Sequence, residues 1–90
     1  MNTKLLNDTY TIVDEIFQVF EDVRSMFRAW DTSKHMPFIQ EVMKLQALEV
    51  KLYQLGYEED FVRLLVKAVY ESVFTDTERR QYAGNWHILV

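Results

Sequence analysis

The stretch that decides the fold of this chain is residues 5–30, LLNDTYTIVDEIFQVFEDVRSMFRAW. Apolar side chains recur in it every three or four residues, which is the spacing of one face of an α-helix. Two neighbouring apolar stripes run along it, so the apolar face is wider than a bare coiled-coil seam. The opposite side carries mainly carboxylates, amides and hydroxyls. The stretch therefore predicts one long amphipathic helix at about residues 4–29.

Three further helices are predicted beyond this stretch. The chain has only two glycines and one proline, so there is little to break helices or to build hairpins. Pro37 fits the first turn of a helix and is expected to keep Met36 out of it, and Gly56 suits the left-handed residue that ends that helix. Thr75 and Glu78 form a capping box that opens a short last helix. The expected spans are about 37–55, 58–74 and 76–83, followed by a tail at 84–90.

These elements predict an all-α fold in a single domain of 90 residues. Because the connections are short, the three long helices are expected to run antiparallel, in up-down-up order, as a small helical bundle with the short helix at its C-terminal end. No sheet is expected. Ninety residues suffice for one hydrophobic core, although a small one.

The net charge of -4 is concentrated at the start of the chain. Residues 1–22 contain five carboxylates and one lysine, whereas residues 23–90 contain nine acids and nine bases. The acidic face of the predicted first helix is therefore a candidate site for a protein partner with a basic surface, because complementary charge speeds encounter and sets specificity. Its residues are Asp14, Glu15, Gln18, Glu21 and Asp22.

The long predicted helices carry more apolar residues than one buried face needs. Such residues make up 35 of the 62 positions in 5–30, 37–55 and 58–74, and helices one and three look equipped to bury more than one face. The surplus predicts a homo-oligomer, with a two-fold dimer as the default form. The alternative is that a small protein simply leaves this apolar surface exposed. The candidate oligomer seam comprises Leu6, Tyr10, Val13, Phe17, Phe20 and Phe27.

A cluster of basic and aromatic residues near the end of the chain is a candidate docking tail. Arginine and aromatic side chains are common interface anchors. The alternative is that the tail folds back and covers one end of the bundle. The cluster contains Arg79, Arg80, Tyr82 and Trp86.

Several kinds of chemistry are not expected. The chain has no cysteine, and neither His35 nor His87 is spaced with a second metal ligand on a helix. No serine or threonine stands in an arrangement that activates a nucleophile, and there is no glycine-rich phosphate loop. We therefore expect no enzyme, no catalytic residue, no metal and no cofactor.

The same composition limits the partners. A mildly acidic balance argues against nucleic acid, and a recognition helix that opened with Glu58, Glu59 and Asp60 would be repelled by phosphates. Apolar runs are too short to span a membrane, and the N-terminus does not resemble a signal peptide. A cytoplasmic location is therefore expected, which the absence of cysteine also favours.

The sequence as a whole favours a small helical protein-binding regulator or adaptor. It would act through the acidic face and the apolar seam, as a homodimer. Inhibitors and adaptors encoded by phages and plasmids are often of this size, which is an argument from length alone. The alternatives are a structural subunit of a homo-oligomer with no separate target and a helical bundle that binds a small molecule.

Overall fold

The computed structural model describes residues 3–28 and 35–81, and the regular structure in these ranges is entirely helical. Four helices follow one another: α1 (Thr3–Arg28), α2 (His35–Gln54), α3 (Glu59–Val73) and α4 (Asp76–Gln81). Three of them are long, one is short and they pack together, so the predicted all-α fold is confirmed. The tail at 84–90 lies outside the described residues, as does the chain between α1 and α2.

α1 is the helix around which the others pack. Its 26 residues make it about 39 Å long, and both α2 and α3 pack on it more extensively than on each other. It supplies nearly half of the buried apolar side chains. The core consists of Ile12, Ile16, Val19, Phe20, Val23 and Phe27 from α1, Leu45, Leu48 and Leu52 from α2, Val62, Val69 and Val73 from α3, and Phe74 after it.

Three contacts set the register between α1 and α3. The hydroxyls of Thr9 and Tyr57 lie 2.9 Å apart near the start of both helices. Midway, the ring of Phe20 lies 5.9 Å from that of Tyr70. At the far end the rings of Phe27 and Phe74 meet edge to face, with centroids 6.2 Å apart. The start of α3 therefore lies beside the start of α1, and the two ends also lie together.

The turn from α2 to α3 depends on Gly56. This glycine has a φ of 103°, and its N–H donates to the carbonyl of Tyr53 at 2.9 Å while the N–H of Tyr57 donates to that of Leu52 at 3.3 Å. The pair of bonds is a Schellman motif, which satisfies carbonyls at the end of a helix. A Cβ at this position would meet nothing within 4 Å, so glycine is needed for its backbone conformation and not for space. The predicted helix end at Gly56 is confirmed.

The start of α2 differs from the expectation. The helix begins at His35, so Met36 is helical, and the prediction that Pro37 excludes it from the helix is wrong. The first turn of a helix has N–H groups without intrahelical acceptors, so the missing N–H of Pro37 removes no bond there. The restriction that proline places on its predecessor is a preference, and a helix can begin before the proline in spite of it.

α4 begins with the predicted capping box. The Thr75 hydroxyl accepts from the N–H of Glu78 at 3.1 Å, and the Glu78 carboxylate accepts from the N–H of Thr75 at 3.2 Å. Each side chain thereby satisfies a backbone donor that the first turn leaves free. The capping box is confirmed in full.

Glu78 also ties α4 to α1. Its carboxylate accepts from Arg24 Nε at 2.8 Å and lies 3.4 Å from a terminal nitrogen of Arg28. The hydrogen bond from Arg24 lowers the pKa of Glu78 to about 2, assisted by the bonds from Thr75 and opposed by burial. In the sequence, Arg24 lies between the seam residues Phe20 and Phe27. The ion pair with Glu78 gives this charged side chain a partner at that position.

Candidate functional site between α1 and α2

The predicted acidic face divides into two parts in the structure. Glu15, Gln18 and Asp22 line a groove between α1 and α2. Asp14 and Glu21 are exposed on α1, but they do not line the groove. Within the groove, the amide of Gln18 donates to the Asp22 carboxylate at 2.9 Å. The acidic residues on α1 are therefore not one uniform surface.

The groove has a volume of about 320 Å³ and combines charged walls with an apolar floor. Val19 and Leu48, both buried, and the small side chain of Ala47 supply apolar surface. The wall formed by α2 carries one acid and two bases, Glu41, Lys44 and Lys51. Three carboxylates and two ammonium groups thus line the groove, which gives it a net charge of -1.

The groove continues toward the start of α1. A neighbouring depression of about 290 Å³ is lined by Asp8 and Thr11 of α1 and by Gln54 near the end of α2. It shares Glu15 and Lys51 with the first groove. The two depressions are therefore neighbours along the junction of α1 and α2.

Glu41 is the unusual residue of this site. It is only 4% exposed, and one carboxylate oxygen, Oε1, accepts from Lys44 Nζ at 2.8 Å. The other, Oε2, is buried and accepts no hydrogen bond within the described structure. Leaving a buried charged acceptor without a donor is unfavourable. The hydrogen bond and the charge of Glu41 are also the main reasons why the pKa of Lys44 is raised.

The predicted oligomer seam lies partly inside the chain's own core. Phe20 and Phe27 are buried, while Val13 and Phe17 are half-buried and pack against the core. Leu6 and Tyr10 are exposed. The last two are the seam residues that remain open to a second molecule, and the outer side of Val13 and Phe17 borders them.

Exposed apolar residues that the seam did not include lie mainly on α2. Ile39, Met43, Val50 and Tyr53 are all exposed, at 46%, 62%, 50% and 39%. Phe61 and Leu64 of α3 are exposed as well. The sequence did contain a signal, since α2 carries two adjacent apolar stripes and can bury only one of them against α1 and α3.

The predicted docking tail is described only in part. The guanidinium of Arg79 donates to the backbone carbonyls of Glu71 and Phe74, at 3.2 and 3.1 Å, and pairs with Asp76. Arg79 therefore fastens α4 to the end of α3. Arg80 is exposed, and Tyr82 and Trp86 lie outside the described residues.

Among the described residues, no group of three or more His, Cys, Asp or Glu side chains could hold a metal ion. No helix in the described ranges is long and apolar enough to cross a membrane. The chain matches no family model, no curated protein and no solved structure.

Proposed function

We propose that this protein is a small regulator or adaptor that binds a basic segment of another protein in the groove between α1 and α2. The observation that carries the proposal is the buried Oε2 of Glu41, which has no donor among the described residues. Because Oε2 is buried, the Glu41 side chain would turn it toward the groove, where a lysine or arginine side chain from a partner would supply that donor. In this proposal α1, α2 and α3 run up, down and up, and the protein acts in the cytoplasm.

The lining suits a long basic side chain better than a bare cation. Val19, Ala47 and Leu48 offer apolar surface on which the methylene stem of a lysine or arginine can lie while its charged head reaches a carboxylate. Glu15 and Asp22 stand on the opposite wall. An acidic recognition surface of this kind increases the association rate and discriminates against acidic partners.

Lys44 and Lys51 make the site selective. Both belong to the same lining, so the groove does not attract positive charge indiscriminately. A partner must present its basic group at Glu41 and avoid the two lysines, which fixes the register of the bound segment. Specificity commonly arises from such a combination of attraction and repulsion.

The test is a nuclear magnetic resonance titration of the labelled protein with an acetylated Lys-Leu-Lys amide. We expect amide shifts to concentrate at Glu41, Lys44 and Ala47, and to weaken as salt screens the charges. Glu41→Gln should reduce the affinity several-fold. Glu21→Gln is the matched control, because it removes the same charge from α1 outside the groove.

Two outcomes would contradict the proposal. Shifts spread evenly over the acidic residues of α1, with Glu21→Gln as harmful as Glu41→Gln, would mean diffuse attraction and no groove site. If no amide shifts appeared at low salt, basic segments would be ruled out as ligands.

A second candidate function is a structural subunit that assembles with copies of itself and has no separate target. The exposed apolar residues of α2 favour it, because contiguous exposed apolar surface on a soluble protein commonly marks an interface. In that case the charges on α1 would serve solubility, and reversing Glu15 to Lys would leave the assembly unchanged. Measuring the solution mass of this variant against the unaltered chain tests that expectation.

A further inference from the structure

We infer that the partner segment bound between α1 and α2 is an α-helix whose lysine or arginine residues recur every seven positions along one stripe. The inference rests on the proposed function and adds to it the conformation of the segment and the spacing of its basic residues. The observation behind it is a row of three carboxylates that α1 places along the groove and its neighbouring depression. This acidic row consists of Asp8, Glu15 and Asp22.

The first step is the spacing of the acidic row. Asp8 and Glu15 line one depression, Glu15 and Asp22 line the other, and each carboxylate comes seven residues after the one before it. Seven residues of an α-helix rise about 10.5 Å and make nearly two complete turns. The three carboxylates therefore lie along one side of α1, at intervals of about 10.5 Å along the helix axis.

The second step is that the acidic row is not neutralised by the chain itself. Neither Asp8 nor Glu15 makes a hydrogen bond or an ion pair with another described residue. Asp22 accepts a hydrogen bond from Gln18, its neutral neighbour on the same helix. On the opposite wall Lys51 has no partner among the described residues either. The charges on the two walls therefore do not pair across the groove.

The third step is the buried carboxylate at one end of the acidic row. The charge of Asp22 acts on Lys44, which donates to Glu41, so Asp22 and Glu41 belong to the same end of the groove. Glu41 is only 4% exposed, and its Oε2 accepts no hydrogen bond within the described structure. An acidic surface by itself is satisfied by solvent, whereas a buried carboxylate oxygen lacks that source of donors. A basic side chain bound at this end places the next one beside Glu15.

The fourth step is the conformation that matches the acidic row. Helical residues seven positions apart lie on one stripe and are about 10.5 Å apart, which equals the interval between the carboxylates. In an extended segment, side chains on one face recur every second residue, at about 6.7 Å and then at about 13.4 Å. Both distances miss the interval by about 3 Å or more. A helix therefore meets successive carboxylates in register, and an extended segment does not.

The lysines of α2 restrict the basic residues to that one stripe. Lys44 and Lys51 are also seven residues apart and line the wall opposite the acidic row. A basic residue on the flank of the segment that faces α2 would be repelled by them, and such repulsion discriminates between partners. Between the two lysines, Ala47 and Leu48 line the groove with apolar surface. The flank of the partner helix that faces α2 should therefore be uncharged and partly apolar.

The test compares two peptides of identical composition. Each has about 18 alanine and glutamine residues, enough to form a helix, with blocked ends and two lysines. One peptide places the lysines seven positions apart, and the other places them five apart, which turns the second lysine by about 140° around the helix. In a titration followed by nuclear magnetic resonance at low salt, the seven-spaced peptide should bind about three-fold more tightly, because its second lysine makes one more surface ion pair.

A third peptide tests the helical conformation. It keeps the lysines seven positions apart, but a glycine and a proline replace two alanines between them and prevent a continuous helix. We expect it to bind no more tightly than the five-spaced peptide, and circular dichroism verifies the loss of helix. Binding as tight as that of the helical seven-spaced peptide would overturn the helical conformation.

Protein variants locate the preference on the acidic row. Glu15 lines both depressions, so Glu15→Gln should abolish the three-fold preference for the seven-spaced peptide, whichever pair of carboxylates the lysines use. Glu21→Gln is the matched control, because Glu21 is exposed on α1 and lines neither depression. The preference should survive in this variant. Its loss in both variants, or in neither, contradicts the inference.

The outcomes separate this inference from the proposed function. If the two helical peptides bind equally and Glu41→Gln weakens both, the binding of basic segments stands and the seven-residue spacing is overturned. If the Lys-Leu-Lys amide binds and neither helical peptide does, the inference again falls alone. If none of the peptides binds, the inference and the proposed function fall together.

Discussion

Two glutamates are buried in the described structure, and they differ in whether both carboxylate oxygens accept a hydrogen bond. Glu78 receives hydrogen bonds from Arg24 and from the backbone of Thr75, and Arg28 lies nearby. Glu41 receives one bond from Lys44, and its second oxygen receives none from the described residues. The satisfied carboxylate of Glu78 joins α4 to α1, whereas the unsatisfied oxygen of Glu41 is the one on which the proposed binding site depends.

Of the two glutamates, Glu78 should have the larger effect on the free energy of unfolding when it is replaced by leucine. Glu78→Leu removes the partner of Arg24 and the acceptor for the N–H of Thr75, so it should reduce the free energy of unfolding by about 3 kcal/mol. Urea denaturation monitored by circular dichroism measures this difference. A loss below about 1 kcal/mol would show that solvent already satisfies these groups.

The pH dependence of stability should follow Glu78. Its pKa in the folded chain is about 2, compared with an ordinary value of 4.5. A lowered pKa means that its contribution is fully present above about pH 4.5 and is lost as the pH falls toward 2.

The measurement compares the unaltered chain with Glu78→Gln in urea, from pH 7 to pH 2.5. The difference in the free energy of unfolding should be about 2 kcal/mol at neutral pH and should shrink below pH 4.5. A difference that stays constant down to pH 2.5 would mean that a group other than Glu78 causes the loss of stability at low pH.

Glu41→Leu should change stability in the opposite direction. Leucine at this buried position removes an oxygen that lacks a donor, so the free energy of unfolding should rise by about 1 kcal/mol. The same variant should lose affinity for the Lys-Leu-Lys amide. A stability gain accompanied by lost binding is the expected signature of a binding residue, and a loss of stability would place Glu41 with Glu78 as a structural group.

The smallest effect is expected at Lys44, the residue that donates a hydrogen bond to Glu41. Lys44→Ala removes the donor that Glu41 has and changes the net charge of the groove from -1 to -2. The affinity for the basic peptide should rise a few-fold at low salt, and the gain should disappear at high salt because these charges are close to solvent. Unchanged or weaker binding at low salt would show that Lys44 itself holds the ligand.

Much of the fold could be predicted from local patterns. The spacing of apolar residues around Phe17 and Phe20 indicates α1, and Gly56 and the pair Thr75 and Glu78 mark a helix end and a helix start. These signals are local because the hydrogen bonds they make span at most five residues.

Contacts between residues far apart in the sequence, including those that bring the two walls of the groove together, could not be predicted from local patterns. Arg24 and Glu78 are 54 residues apart, and nothing near either residue identifies the other. The two apolar stripes of α2 are nearly equivalent in the sequence, so only packing against α1 and α3 decides that Leu45 and Leu48 turn inward while Met43 and Val50 remain outside. For the same reason Phe20 could be counted in an oligomer seam before its burial was known.

The pairing of Arg24 with Glu78 also has a consequence for how the chain folds during its synthesis. Synthesis proceeds at about 5–20 residues per second, so the 54 residues between the two side chains take roughly 3–10 s to add. Throughout that interval the nascent α1 exists without the carboxylate that its arginine will meet. A ribosome that stalls before Glu78 therefore holds an unfinished molecule in which Arg24 of the longest helix lacks its partner, and this contact forms only after α4 has been made.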